Sequence, residues 1–269
     1  MKRELVDFFE SENIEYRAVL DFSHVRIINS ALMERENFTP RSVIIFLLPY
    51  YAGECENLSR YAAACDYHIS IRGVTDRLIS RLKKLFPDCS AKGYGDHSPI
   101  DERHAALSAG LGILGDSGLL INEKYGTYVF IADVLTDIPP EEIGERGDAL
   151  AHGHCISCGA CKAACPTGML RGERSKCLSA ITQKKGELTD SEVELMRKFN
   201  TVWGCDLCQI SCPYNKEPKI TPIAFFREDR ITRLTSERLA EMSKEQFLER
   251  AFAWRGKKTV ERNLNLLNY

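Results

Sequence analysis

Eight cysteines between positions 155 and 212 are the residues of this sequence most able to do chemistry. The first four are Cys155, Cys158, Cys161 and Cys165, and Pro166 follows them, which makes the pattern C-x2-C-x2-C-x3-C-P. Three thiolates at this spacing can bind one face of a [4Fe-4S] cubane, while the fourth points towards a second cluster. Structural zinc is the alternative, but zinc sites usually pair two short cysteine knuckles at longer separation. The pattern therefore favours iron–sulfur chemistry.

The second cysteine group, which ends at Pro213, is one ligand short of a full set, and Cys177 can supply the missing thiol. The alternative, in which Cys177 is a buried core thiol, leaves that cluster with three protein ligands. Exchange of the fourth cysteine between clusters predicts the ligands Cys155, Cys158, Cys161 and Cys212 for the first cluster and Cys165, Cys177, Cys205 and Cys208 for the second. Two clusters in series carry electrons, so a separate reaction centre must receive them.

Composition excludes several classes of protein. The chain has 269 residues and 36 Lys+Arg against 38 Asp+Glu, so its net charge of -2 gives no global attraction to nucleic acid. An odd total of eleven cysteines without a signal peptide argues against a disulfide framework. The longest apolar run, Val43–Leu48, is far shorter than the roughly 20 residues that span a bilayer. We therefore expect a cytoplasmic protein with no membrane segment.

The elements that must position this chemistry alternate between helix-like and strand-like patterns. Leu5, Phe8 and Phe9 predict a short amphipathic helix, and Asp76–Phe86 predicts another. Ser42–Leu48 reads as a buried strand that Pro49 stops. The patterns further predict a helix over 102–111 and strands over 119–122 and 127–135. Thr189 and Glu192 predict a capping box at the start of another helix. This order of elements favours an α/β or α+β domain, and of the two we expect an α+β fold.

A G-x-G-x-x-G pattern at Gly110–Gly115 resembles a dinucleotide-binding fingerprint. The fingerprint requires a strand before it and a helix after it, whereas here a helical pattern comes first. We therefore interpret the pattern as a helix end followed by a tight turn.

Several short motifs, taken in order, resemble those of the epoxyqueuosine reductases, the cobalamin-dependent oxidoreductases of queuosine biosynthesis in tRNA. The resemblance runs from about residue 40 to about residue 264. Its motifs are Ser59-Arg-Tyr-Ala62 with Asp66-Tyr-His68, Gly95-Asp96-His-Ser-Pro99 with Glu102, Ala109–Gly115, Gly126–Phe130 with Thr136-Asp137, both cysteine groups, and Arg255 with Arg262-Asn263 in the tail.

The resemblance implies a nitroreductase-like α/β domain that holds base-off cobalamin, followed by a ferredoxin-like domain with two [4Fe-4S] clusters. We place the first domain at 1–140, the second at 141–220, and a helical C-terminal segment at 221–269. The Pro-Pro pair at 139–140 and the acidic stretch 141–153 suggest a linker. The chain is expected to be a short form without the helical repeats that follow in many members.

Asp96 is the proton donor that the resemblance implies. A carboxyl group can act as a general acid near neutral pH if burial beside an apolar cofactor raises its pKa. The alternative is that Asp96 only stabilises a turn or caps a helix.

The same resemblance suggests which residues contact cobalamin. The expected contacts are Ser59, Arg60, Tyr61, Asp66, His68, Ser98, Gly112 and Gly115. A capped helix start is the alternative for the segment that begins at Ser59. Neither His68 nor His97 is assigned to a metal.

The expected partners are tRNA, or another reducible substrate, and a low-potential electron donor such as flavodoxin or ferredoxin. Asp116 stands where the family usually has lysine. This change leaves open a corrinoid paralogue with dehalogenase-like activity, or a two-cluster electron carrier without cobalamin. A basic tail segment that contains Trp254 could bind RNA or could simply be solvated. Cys55, Cys65 and Cys89 are expected to be small buried hydrophobic residues.

Overall fold

The computed structural model describes residues 1–144, 154–170 and 174–269, and its internal contacts divide the chain into two compact units. The first unit consists of Met1–Pro49, His68–Gly115 and Leu119–Ile156, and the second consists of Tyr50–Tyr67, Asp116–Gly118 and Ser157–Tyr269. Both helices and strands are present, as the predicted α+β class requires. Of the predicted linker at 139–153, residues Pro140–Ile143 instead form a short helix, and residues 145–153 lie outside the described residues.

A four-stranded antiparallel sheet organises the first unit. In chain order, the strands of the described residues are β1 (Arg17–Asp21), β2 (Ser42–Pro49), β3 (Ala91–Tyr94), β4 (Ile113–Leu114), β5 (Leu120–Ile121) and β6 (Val129–Thr136). Four of them, β1, β2, β3 and β6, form this sheet. The sheet has the order β1-β2-β6-β3, and β4 pairs with β5 separately. Every residue of β2 is buried, which explains its unbroken apolar sequence. The predicted strands over 119–122 and 127–135 exist in shortened form, but they do not pair with each other.

Five helices belong to this part of the described chain. They are α1 (Arg3–Ser11), α2 (Ser30–Met33), α3 (Tyr67–Leu85), α4 (Glu102–Ser108) and α5 (Pro140–Ile143). Helix α1 buries Leu5, Phe8 and Phe9, so the predicted amphipathic helix is confirmed. Helix α3 begins well before the predicted residue 76. The alanines of α4 pack against the apolar side chains of β2 in one core, and this packing holds the start of α4 at the sheet.

The second unit is helical within the described residues. Its helices are α6 (Ala160–Ala164), α7 (Leu178–Thr182), α8 (Asp190–Lys198), α9 (Leu207–Ile210), α10 (Ser236–Glu241), α11 (Lys244–Leu248) and α12 (Lys257–Leu267). Thr189 and Glu192 form the predicted capping box at the start of α8. Trp203 and Phe252, both fully buried, pack edge to face with ring centroids 6.4 Å apart in the main apolar core. None of the described helices is both long and apolar enough to cross a membrane.

Residues 57–60 join the second unit because they run alongside residues 202–206. Leu58 and Trp203 form a parallel bridge, and the backbone N–H of Ser59 donates to the carbonyl of Trp203 at 2.8 Å. Gly204 has φ +77°, and a Cβ there would lie 2.4 Å from Ser59 Cβ. Only glycine fits this close approach. The contacts therefore link two distant stretches of chain, whereas we expected contiguous domains with boundaries at 140 and 220.

The three cysteines outside the two cysteine groups correct another expectation. Cys55, Cys65 and Cys89 are half-buried rather than buried. Cys55 Sγ lies 3.8 Å from Arg230 Nη2, and Cys65 Sγ lies 3.7 Å from Asp229 Oδ2. Charged neighbours keep both thiols near the surface, and this is why they do not behave as small core residues.

Candidate functional site

The short helices α6, α7 and α9 place the predicted cluster ligands of the second unit. Cys161 lies within α6 and Cys208 within α9, and these two helices contact each other. Cys165 directly follows α6, Cys177 directly precedes α7, and Cys205 precedes α9. A cysteine at or beside a helix end is held in place by the helix. Backbone N–H groups in the first turn of a helix have no partner within that helix, so they can face the sulfur.

Four of these thiols lie close enough to influence one another electrostatically. Burial raises the pKa of Cys205 and Cys208, and the Cys177 and Cys165 thiols raise both pKa values further. Within the described residues, no three His, Cys, Asp or Glu side chains converge as they would around a single ion. Each cysteine of a cubane binds a different iron. The four cysteines are therefore neighbours, but their sulfur atoms do not converge on one metal ion. This arrangement fits the set predicted for the second cluster.

Cys165 has an environment that favours its thiolate form. Burial alone raises the pKa of Cys165, but hydrogen bonds from the Thr167 hydroxyl and from the backbone amides of residues 167–169 lower it overall. Hydrogen bonds of this kind stabilise the thiolate that binds metal. The turn after α6 is thus already arranged for a cluster ligand.

Asp206 is a buried carboxylate between Cys205 and Cys208. It accepts hydrogen bonds from the Ser59 hydroxyl at 2.5 Å and from the backbone N–H of Arg60 at 2.7 Å. The guanidinium of Arg60 lies 3.3 Å from the same carboxylate. The sequence analysis did not single out Asp206, and its only local signal is an acidic residue within a cysteine pair.

The predicted proton donor, Asp96, lies in the loop between β3 and α4. Its φ is 66°, a conformation that aspartate tolerates better than most residues. Its backbone N–H donates to Glu102 Oε1 at 3.1 Å, and its carboxylate lies 3.8 Å from His68 Nε2. The side chain is 57% exposed, so the burial that we expected for it is not found within the first unit. Asp101, not Asp96, caps α4.

Two further carboxyl groups lie close to the Asp96 loop, Glu102, which is half-buried, and Asp133. Asp133 on β6 is fully buried; its Oδ1 accepts from the Ser98 hydroxyl at 3.2 Å, and among the described residues its Oδ2 has no hydrogen-bond partner. Burial, followed by the charge of Asp133, raises the pKa of Glu102, and burial also raises the pKa of Asp133. These shifts favour a proton on the pair, because two neighbouring carboxylates repel each other. The sequence signal that could have revealed Asp133 is an acid within an apolar strand.

The residues predicted to contact cobalamin are distributed over both units. Ser59, Arg60, Tyr61 and Asp66 belong to the second unit, whereas His68, Ser98, Gly112 and Gly115 belong to the first.

Several of these residues already have partners within their own unit. The Ser59 and Arg60 side chains bond Asp206, Ser98 bonds Asp133, and the Tyr61 hydroxyl accepts from Trp203 Nε1 at 3.0 Å. Ser59 precedes a short 3-10 helix without capping it, so the capped helix start that we considered as the alternative is wrong in this respect. The residues present therefore fit side-chain contacts to cobalamin only in part.

The glycine pattern and the tail have structural explanations. A Cβ at Gly112 would lie 2.5 Å from the carbonyl oxygen of Ile121, so this glycine allows close chain packing. Gly110 has φ +71° just after α4, as expected for a helix end. In the tail, Arg262 donates to the carbonyl of Lys184 at 2.8 Å. Arg262 is thus committed to the fold, while Trp254 is 57% exposed under the Arg255 guanidinium.

Comparison with known protein families identifies the cysteine segment. Residues 154–215 match the family described as a 4Fe-4S double cluster binding domain. The expectation of two [4Fe-4S] clusters is therefore confirmed for this domain, in preference to zinc.

Comparison with curated proteins gives relatives that share one name. The chain is 34% identical over 218 residues to an epoxyqueuosine reductase of Listeria monocytogenes, covering 76% of this chain and 55% of the relative. An epoxyqueuosine reductase of Leadbetterella byssophila is 31% identical over 225 residues, covering 78% of this chain and 72% of the relative. The chain spans about half the length of the relatives from Listeria and Bacillus subtilis.

Solved structures share this fold across almost the whole chain. An epoxyqueuosine reductase from Bacillus subtilis, with its catalytic aspartate loop swung out of the active site, gives a TM-score of 0.79 at 26% identity. An epoxyqueuosine reductase with an epoxyqueuosine-modified tRNA stem loop gives a TM-score of 0.77 at 25% identity. Both alignments cover 98% of this chain and 80% of the solved chain.

Proposed function

This chain belongs to the epoxyqueuosine reductase family, and on that premise we propose that it reduces epoxyqueuosine in tRNA to queuosine. The observation that carries the proposal is that one chain combines a double-cluster domain with relatives named epoxyqueuosine reductase across three quarters of its length. Removal of the epoxide oxygen as water consumes two electrons and two protons. The clusters supply electrons one at a time, and a carboxylic acid can supply a proton.

We assign the proton transfer to Asp96. Its carboxyl group projects from a loop that two fixed elements hold, since β3 ends at Tyr94 and α4 begins at Glu102. His68 lies 3.8 Å from the carboxylate and can return a proton after each turnover. Substrate that covers the loop would exclude water from this carboxyl group. Its side chain therefore gains its acid function in the complex.

We further propose that the eight cysteines bind the clusters in the two predicted sets, Cys155, Cys158, Cys161 and Cys212, and Cys165, Cys177, Cys205 and Cys208. The electrostatic coupling among the thiols of the second set supports this division. A low-potential donor such as flavodoxin or ferredoxin would feed them. Reduction by single electrons from outside is the ordinary use of paired clusters.

Base-off cobalamin is the proposed acceptor of these electrons. When bound, it would supply a strongly reducing cobalt centre for opening the epoxide. Asp66, Tyr61 and His68 from the family motif, with Gly115 for close backbone approach, are the residues that we propose to hold it. Ser59, Arg60 and Ser98 are less suited, because their donors already serve buried carboxylates.

The test uses anaerobically reconstituted full-length protein, cobalamin and tRNA that carries epoxyqueuosine. We expect queuosine to form, and Asp96→Asn to lower turnover by at least about 100-fold while cobalamin and both clusters stay bound. Asp88→Asn, which changes an exposed turn residue, is the matched control and should keep full turnover.

Three results would contradict parts of this assignment. Failure to bind cobalamin would leave a two-cluster electron carrier. Cobalamin binding without turnover of the tRNA would favour a paralogue with another reducible substrate. Full turnover by Asp96→Asn would remove Asp96 from the mechanism.

A further inference from the structure

Arg60 and Asp206 form a buried ion pair beside two predicted cluster ligands. Their side chains are 7% and 3% exposed, and Arg60 Nη1 lies 3.3 Å from Asp206 Oδ2. Asp206 directly follows Cys205 and precedes Cys208 by two positions. Charges buried this deeply are poorly screened by solvent or salt, so each acts on its surroundings at close to full strength.

The carboxylate of Asp206 is held by four donors. Oδ1 accepts from Ser59 Oγ at 2.5 Å and from Gln209 Nε2 at 3.0 Å. Oδ2 accepts from the Arg60 backbone N–H at 2.7 Å and from its guanidinium. All four hydrogen bonds point towards the carboxylate, and the Arg60 guanidinium also brings a positive charge to it.

The field of this anion reaches the cluster ligands. Asp206 adjoins Cys205 in the chain, and Gln209, which donates to its carboxylate, adjoins Cys208. A negative charge that opposes formation of a thiolate also opposes the addition of an electron to the cluster that the thiolate binds. Arg60 acts in the opposite direction. Net charge near a cluster is one of the factors that set its potential.

We propose that the Arg60–Asp206 ion pair sets the reduction potential of the [4Fe-4S] cluster that Cys205 and Cys208 bind, and that Ser59 and Gln209 position the carboxylate. The proposal rests on the double-cluster domain and not on epoxide reduction. It also gives the segment 59–60 a role distinct from the predicted contact with cobalamin.

The test is a redox titration of the anaerobically reconstituted full-length protein, followed by electron paramagnetic resonance, with iron content measured for every variant. We expect Asp206→Asn to raise one midpoint and Arg60→Met to lower the same midpoint. Each shift should be about tenfold in the ratio of oxidised to reduced cluster at fixed potential, which is about 59 mV for one electron. The second midpoint serves as an internal control and should move much less.

Glu54→Gln is the matched control variant. Glu54 also pairs with Arg60, but its side chain is 71% exposed, so solvent screens its charge and the midpoint should stay in place. Ser59→Ala keeps both buried charges and removes one donor to the carboxylate. We expect a small negative shift from it, because the carboxylate then carries more of its charge.

The opposite signs distinguish tuning from simple structural support. If Asp206→Asn or Arg60→Met loses iron, the midpoints of Ser59→Ala and Glu54→Gln decide whether the proposal holds. Unchanged midpoints in the charge variants with full iron content would overturn the proposal, as would shifts of the same sign. An unchanged midpoint in Arg60→Met with weakened cobalamin binding would instead return Arg60 to its predicted role.

Discussion

At the level of single residues, the carboxyl groups near the end of β3 differ in what surrounds them. Asp96 is exposed and lies next to His68, whereas Glu102 and Asp133 are enclosed and electrostatically coupled. Within the first unit, burial raises the pKa of Glu102. The exposed Asp96 carboxyl group remains accessible to a ligand.

The buried carboxyl pair predicts a pH dependence of stability. Burial raises the pKa of Glu102 from 4.5 to about 9. Between these values the folded state holds a proton that the unfolded state has lost, so the free energy of unfolding falls as pH rises. The limit for one proton is about 1.4 kcal/mol per pH unit. Glu102→Gln removes this contribution, so its stability relative to wild type should rise with pH.

Urea unfolding at several pH values measures this effect as the difference between wild type and variant. Contributions that the two proteins share, including those of the clusters, cancel in that difference. Glu34→Gln, at an exposed position of the same unit, is the control and should show a flat difference. A flat difference for Glu102→Gln would contradict a shared proton in the pair.

Gly204 provides a second prediction at this scale. Gly204→Ala places a methyl group 2.4 Å from Ser59 Cβ at φ +77°. We expect a loss of about 3 kcal/mol or more, from backbone strain of about 1–3 kcal/mol plus the clash. Gly186→Ala is the matched control, because Gly186 has φ +79° but nothing within 4 Å of its Cβ position.

Thermal unfolding and iron content of the two alanine variants measure the outcome. Gly186→Ala should lose only the strain contribution and keep its clusters. Equal losses from both substitutions would show that the approach of Ser59 to Gly204 is not tight.

At the level of elements, α12 is anchored by one buried amide. Asn263 is fully buried, and its Nδ2 donates to the carbonyls of Thr182 at 2.7 Å and Val202 at 2.8 Å. Arg262 Nη2 donates to its Oδ1 at 2.7 Å. This single side chain joins α12 both to the end of α7 and to the strand-like segment before Cys205. The part of the tail that resembles the family's arginine-rich segment therefore supports the cluster-binding unit.

The anchor predicts a large effect from a small truncation. Asn263→Ala leaves two buried carbonyl groups without donors, and we expect a loss of about 2–4 kcal/mol in the free energy of unfolding. Asn265→Ala, on the exposed face of the same helix, should change it by less than about 0.5 kcal/mol. The comparison uses urea unfolding, and similar losses from both variants would contradict the anchoring role.

At the level of the whole molecule, the two units depend differently on metal. Unit one has its own sheet and apolar core. In unit two, α6, α7 and α9 have five, five and four residues, too few to be stable on their own. With the proposed ligands, the clusters would cross-link these helices and add to their stability.

Removal of iron should therefore affect the units unequally. Hydrogen exchange of the chelated, cluster-free protein is expected to show lost protection at α6, α7 and α9. The buried strand β2 should stay protected because none of its contacts involves a cluster ligand. Equal loss of protection in β2 would show that the sheet also requires the clusters.

Local patterns in the sequence predicted local structure well. Apolar spacing placed α1 and β2, and the pair Thr189 and Glu192 placed the start of α8, because neighbouring residues determine these features. The cysteine spacing likewise predicted the double-cluster domain. Long-range contacts could not be predicted, since no local period encodes the pairing of Ser59 with Asp206. The role of Asp133 could not be predicted for the same reason, since its partner Glu102 lies on a different element.

The chain passes between the two units at five points, after residues 49, 67, 115, 118 and 156. Residues 50–67 leave the ribosome long before residue 202, to which they bind. At about 5–20 residues per second, that interval is on the order of ten seconds. During translation this early segment waits for its later hydrogen-bond partners, and slow codons upstream of residue 202 would lengthen that wait.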